Sequence, residues 1–204
     1  SHYWKNYISE NIRDKESLMM FARDEENGTV QKNVFKAAEF LSVSQDVSEI
    51  LGLLLKSSIK NSNHTFRRQI ANFICIKNYQ NLLREMVTDP DKEIRFYATR
   101  KIQDKDILMQ SVSDDDLIMA ILQNPFADKD VLEKILQKDE NSRWLAAKYL
   151  KDKDLLNKLL KDPSSQVKDK AEKRLIELGG KTAVLFNRIY NFYKLASSNY
   201  YTSI

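Results

Sequence analysis

Arg68, Arg95, Arg143 and Lys168 each precede an alanine by three residues: Ala71, Ala98, Ala146 and Ala171. Arg100, Lys148 and Lys173 each follow one of the same alanines by two. Cations at fixed offsets from a small residue become columns if the segments that carry them are stacked helices. Helices pack roughly 8–10 Å apart, so a column would present charge at about that interval or a multiple of it. Met119 interrupts the first column and Asn124 the second. Two chemistries fit such columns. Each cation can pair with an aspartate of a nearby turn (Asp89, Asp139 or Asp162), tying one unit to the next. Alternatively, the column meets phosphates or an acidic partner from outside. Both hold together if the first column is paired and the second is not. Trp144, beside Arg143 and close to Asp139, adds an aromatic ring to the set.

Other chemistry is poorly supplied. The histidines are His2 and His64, and Cys75 is the one cysteine. No disulfide framework, Cys-cluster metal site or His-based triad can be assembled from these. With four glycines and neither GxGxxG nor GxxxxGK[ST], a Gly-rich phosphate loop is also excluded. Neither a cofactor, a metal nor a catalytic residue is expected. His64 reads as a solvated side chain in the polar stretch from Lys56 to His64, and Cys75 as a small core residue. Asp114, Asp115 and Asp116 precede Leu117 and read as first-turn negative charge for a helix. The formal net charge of +4 permits a nucleic-acid partner without demanding one.

The elements that must carry these residues are written in a repeat. Asp104-Lys105-Asp106-Ile107-Leu108, Asp128-Lys129-Asp130-Val131-Leu132 and Asp152-Lys153-Asp154-Leu155-Leu156 recur at intervals of 24 residues. A second pair follows each one turn later: Ser111/Val112, Ile135/Leu136 and Leu159/Leu160. An i, i+1, i+4, i+5 stripe of this kind is the buried face of a short amphipathic helix. Aspartate at its front accepts hydrogen bonds from unpaired first-turn N–H groups. Asp130 and Glu133 have the spacing of a capping box. Each short helix ends at a second turn, around Asp89-Pro90, Asp114, Asp139 or Asp162-Pro163. Asp then Pro fits an N-cap followed by the first helical position, where the missing N–H costs nothing.

A second helix begins there, clearest in Ile94-Arg95-x-x-Ala98-x-x-x-Ile102 and Val167-Lys168-x-x-Ala171-x-x-x-Leu175. Arg143-x-x-Ala146-x-x-x-Leu150 shares its frame. Looser versions of the pair are expected over 14–24 with 29–43 and over 46–57 with 65–76; residues 79–88 and 92–102 form the next pair. No strand-like alternation of useful length is present. These patterns predict an all-α, right-handed stack of about six helical pairs over residues 1–178, clearest over 79–178. The tail, 179–204, differs. After Gly179-Gly180 it contains Phe186, Tyr190, Phe192, Tyr193, Tyr200 and Tyr201 and no acid. It is expected to form a helix that caps the array or docks a partner or second protomer, so monomer and weak homodimer both remain open.

Asp-Pro-x-x-x-(Ile/Val)-(Lys/Arg)-x-x-Ala-x-x-x-(Ile/Leu) resembles the HEAT and HEAT-like repeat pattern. The 24-residue period, with Leu117 to Asn124-Pro125 leading into Val131-Leu132-x-x-Ile135-Leu136, also resembles the leucine-rich repeat variant. The resemblance implies an α-solenoid whose second helices line a concave binding surface. It implies first a non-enzymatic scaffold for a protein partner with a partly basic groove, its candidate residues being Arg68, Arg95, Arg100, Arg143, Trp144, Lys148, Lys168 and Lys173. The alternative is nucleic-acid binding. Some HEAT-like proteins are DNA glycosylases, which need an aspartate and aromatic residues on the concave face; Asp139, Arg143 and Trp144 are the nearest match. The iron–sulfur cysteines of a leucine-rich repeat variant protein have no counterpart in this sequence. No run of 18 apolar residues predicts a membrane span, and Ser1 to Tyr7 lacks the apolar core of a signal peptide. A cytoplasmic location is therefore expected.

Overall fold

The structure, a computed structural model, describes residues 11–23, 27–58 and 64–179, together with Ile189. Every regular element among them is helical. They are α1 (Lys15–Ala22), α2 (Gly28–Leu41), α3 (Ser48–Ser57), α4 (His64–Lys77), α5 (Gln80–Met86), α6 (Lys92–Thr99), α7 (Lys105–Ser111), α8 (Ile118–Leu122), α9 (Lys129–Leu136), α10 (Glu140–Tyr149), α11 (Lys153–Leu159) and α12 (Ser165–Glu177). A 3-10 turn, Asp115–Leu117, leads into α8. None of the helices is long and apolar enough to cross a membrane. The expected helix in the tail lies outside the described residues.

The helices start where a short polar side chain can cap them. Asp14, Asp91, Asp128, Asp139 and Asp152 accept first-turn amides at the starts of α1, α6, α9, α10 and α11. Asn27 does the same for α2 and Ser164 for α12. Asp104 accepts from the amides of Asp106 and Ile107 as α7 begins. Asp-Lys-(Asp/Glu) thus marks a helix start at Asp14, Asp91, Asp104, Asp128 and Asp152. The cap is the first aspartate, and the acid two residues on sits in the first turn, where it complements the helix dipole.

Three local expectations are corrected. Asp89 and Asp162 are not N-caps, and Pro90 and Pro163 do not open helices; Asp91 and Ser164 cap α6 and α12 instead. The Asp89 and Asp162 carboxylates accept the amides two residues on, at 2.8 and 2.9 Å, bending the chain around the proline before the helix begins. Asn124-Pro125-Phe126 repeats this turn, with the Phe126 amide 2.7 Å from Asn124 Oδ1. The Asp130–Glu133 capping box does not form, because Asp128 caps α9 and Asp130 is already inside it. His64 opens α4 rather than closing a loop.

The chain divides into two compact units, residues 1–107 and 108–204. In the first, α1 packs on α2 and α3, α3 on α4, α5 on α6, and α4 on α6. Its core includes Leu18, Val34, Phe35, Ile50, Leu54, Ile70, Ile74, Leu83 and Ile94. In the second, α9 packs on α10 and α11 on α12, while α10 lies between α8 and α12. Leu117, Ile121, Val131, Ile135, Leu155, Leu156, Val167 and Leu175 fill it. Ala98, Ala146 and Ala171 are fully buried, as is Ala71, each on the second helix of a pair. A side chain of a single methyl group lets the next second helix approach. Helix α12 stops at Gly179, whose φ of +79° is a conformation that favours glycine.

Candidate functional site

The first column of cations is spent mostly on the fold. In the first unit, Arg68 Nε donates to Asp91 Oδ2 at 3.0 Å, and its Nη1 lies 2.9 Å from Glu93 Oε2. The Arg68 hydrogen bond to the Asp91 carboxylate holds this guanidinium more firmly protonated than usual. In the second unit, Arg143 grips Asp162 with two nitrogens, Nε to Oδ2 at 2.7 Å and Nη2 to Oδ1 at 3.3 Å. Its Nη1 donates to the Lys138 carbonyl at 2.7 Å. Burial alone would raise the Asp162 pKa. The Arg143 hydrogen bond, the Ser164 amide and the charges of Arg143 and Lys168 more than offset this, leaving the carboxyl below its ordinary range.

The partners differ in detail from the expected ones. Arg95 reaches the Asp89-Pro90 turn, but its Nη1 donates to the carbonyl oxygens of Asp89 (2.9 Å) and Pro90 (3.3 Å). The Asp89 carboxylate is held by Arg67, which also donates through Nε to the Leu55 carbonyl. Arg67 and Asp89 are both buried, and the sequence columns overlooked this pair because Arg67 is one residue out of register with Arg143. Asp139 takes no hydrogen bond from a described arginine. It accepts the Ser142 amide at 3.0 Å and the Ser142 hydroxyl at 2.9 Å, which lower its pKa. Lys168 acts on Asp162 through charge without a hydrogen bond.

The second column is arranged otherwise. Arg100 and Lys173 are exposed and make no side-chain hydrogen bond or ion pair with a described residue. The Lys148 ammonium lies 5.5 Å from the Trp144 ring centroid and 5.0 Å from that of Tyr149. Lys170, which the columns did not include, lies 5.5 Å from the same indole. Such distances fall within cation–π range. Trp144 also lines an open groove of about 470 Å³ with Glu140, Asn141 and Gln166.

This groove runs between α10 and α12. Its contacts advance together along both helices: Ser164 Oγ donates to Glu140 at 2.6 Å, Lys170 covers Trp144, and Arg174 Nε donates to the Leu150 carbonyl at 3.0 Å. The two helices therefore run parallel, displaced by about one 24-residue repeat. Asn141, Trp144 and Lys148 are spaced by three and four residues along α10, and Gln166, Lys170 and Lys173 by four and three along α12, spacings that share one helix face. No group of three or more potential metal ligands is assembled among the described residues.

Protein-family models, curated proteins and solved structures were compared with the chain, and none matches it.

Proposed function

We propose that the chain is a non-enzymatic, HEAT-like helical-repeat scaffold, wound as a right-handed superhelix, that binds a cytoplasmic protein partner through a partly basic concave face. One observation carries the reading: Arg68 and Arg143 are consumed by carboxylates of the fold, whereas Arg100, Lys148 and Lys173 have no carboxylate partner among the described residues. Cations left without acids suit an external acidic surface. The capping bonds of Asp139 support a structural role for that residue over base-excision chemistry. Affinity capture from the source cell, with nuclease treatment and cross-linking, tests the proposal. A captured protein that survives nuclease and cross-links near Lys148 or Lys173 is the expected result; nuclease-sensitive capture, or none, overturns it.

Nucleic-acid binding is the second reading, favoured by the same lack of carboxylate partners among the described residues at Arg100, Lys148 and Lys173, which suits phosphates as well as acids. It is tested by salt titration of duplex and single-stranded binding with the wild type and an Arg100/Lys148/Lys173→Ala variant. Each lost phosphate contact should reduce the salt slope by about one unit. Equal slopes, or no binding at about 50 mM salt, remove this reading.

A further inference from the structure

We infer that the α10–α12 groove docks an extended, acidic peptide segment of a protein partner; the inference rests on the scaffold reading and names the chemistry of its ligand. Three kinds of group meet along the groove. At one end the side-chain amides of Asn141 and Gln166 are exposed and hydrogen-bond to no described residue. An amide offers both a donor and an acceptor, which is what an unpaired peptide backbone needs. At the middle stands Trp144, with Lys148 and Lys170 drawn over its ring. Lys148 lies one turn beyond Trp144 on α10, and Lys173 one turn beyond Lys170 on α12.

The charge is complementary to an acidic chain. Lys148, Lys170 and Lys173 make no ion pair with a described residue. The groove's acid, Glu140, sits at the amide end and accepts from Ser164 Oγ. The indole restrains Lys148 and Lys170 near its ring, so less side-chain entropy is lost when they meet a carboxylate. The same arrangement disfavours a nucleic-acid base. A stacking base needs a bare aromatic face, and here both ammonium groups lie 5.5 Å from the ring centroid.

Spacing narrows the ligand further. Neighbouring helices stand about 8–10 Å apart, so lysines on α10 and α12 recur across the groove at about that distance. In an extended peptide, side chains two residues apart share a face and are separated by about 7 Å. Acids at i and i+2 therefore match one lysine on each helix.

The test is selection of a phage-displayed library of random linear peptides on the full chain, followed by fluorescence anisotropy of the enriched peptides. Enrichment of Asp or Glu at i and i+2 is expected. Exposed ion pairs are individually weak, so Lys148→Gln/Lys170→Gln/Lys173→Gln together should weaken binding about tenfold or more. Asn141→Ala should weaken it severalfold with the charge unchanged. The triple variant also loses the cation–π contacts to Trp144 and Tyr149, so its urea midpoint should fall slightly, whereas that of Asn141→Ala should stay close to the wild type. Enriched peptides lacking acids, or acidic peptides bound equally by the triple variant, overturn the inference. Oligothymidylate binding that the triple variant loses, with no peptide enriched, assigns the face to nucleic acid and also overturns it. If the variant still captures the cellular partner, the scaffold reading stands and the groove is not its docking site; if neither peptide nor protein binds, both fall.

Discussion

Replacing Arg143 by methionine separates the structural role of the first basic column from a ligand-binding one. The Asp162 side chain is 3% exposed and that of Arg143 is 18% exposed. Methionine keeps much of the apolar stem but leaves the carboxylate with the Ser164 amide as its remaining close donor. Breaking a buried pair by removing one partner costs about 3–5 kcal/mol. Partial access at the arginine end lowers the expectation to about 2–4 kcal/mol. Asp162→Asn should cost less, about 1–2 kcal/mol, because the side-chain oxygen can still accept the Ser164 amide and the guanidinium keeps its Lys138 carbonyl bond. The double variant should fall short of the sum by about 1–2 kcal/mol. Urea unfolding followed by Trp144 fluorescence, in a Trp4→Phe background, reads these differences. With a urea slope of about 1–3 kcal/mol per molar, Arg143→Met should lower the midpoint by about 1–2 M. Additive single effects, or a larger loss for Asp162→Asn, would refute the assignment of this pair as a tie between repeats. The pH dependence supplies a second check. The folded-state pKa of Asp162 lies below its unfolded value. Its contribution is therefore fully present above about pH 4 to 5 and disappears as pH falls through the folded value. The variant should lose less stability than the wild type over that acid range.

Leu156 is fully buried, and Leu156→Ala should cost about 2–5 kcal/mol in chemical denaturation. Exposed Lys153→Ala should stay within about 0.5 kcal/mol; similar losses at the two sites would show the α11 faces to be misassigned. Asp152 accepts the Asp154 amide at 2.8 Å and the Leu155 amide at 3.0 Å, so Asp152→Ala should lower stability by about 1 kcal/mol, and an unchanged midpoint would reject the cap. Burial pushes the Cys75 thiol up to about 11. Modification by a thiol reagent near pH 8 should therefore be slow in the native chain and fast in urea, and rapid native labelling would contradict a buried thiol.

The amino-acid sequence determined where helices begin and which faces they bury. An aspartate ahead of Lys-Asp supplies a side-chain oxygen to the first-turn amides, and apolar residues four apart lie on one side of the same helix. Both effects act over a few residues, so the short helices, their 24-residue recurrence and the buried alanines were legible without a structure. Even locally there was a limit. Asp89-Pro90-Asp91 offers two aspartates as caps, and packing selects Asp91 for the helix while Asp89 turns inward to Arg67. Which arginine reaches which acid was decided by tertiary structure alone. Arg67 and Arg68 are adjacent in sequence, yet they point about 100° apart around α4 and take Asp89 and Asp91 respectively. The groove has the same origin. Lys170 comes to Trp144 because α12 packs in parallel on α10, and a ring held between cations from two helices exists only after their faces have met.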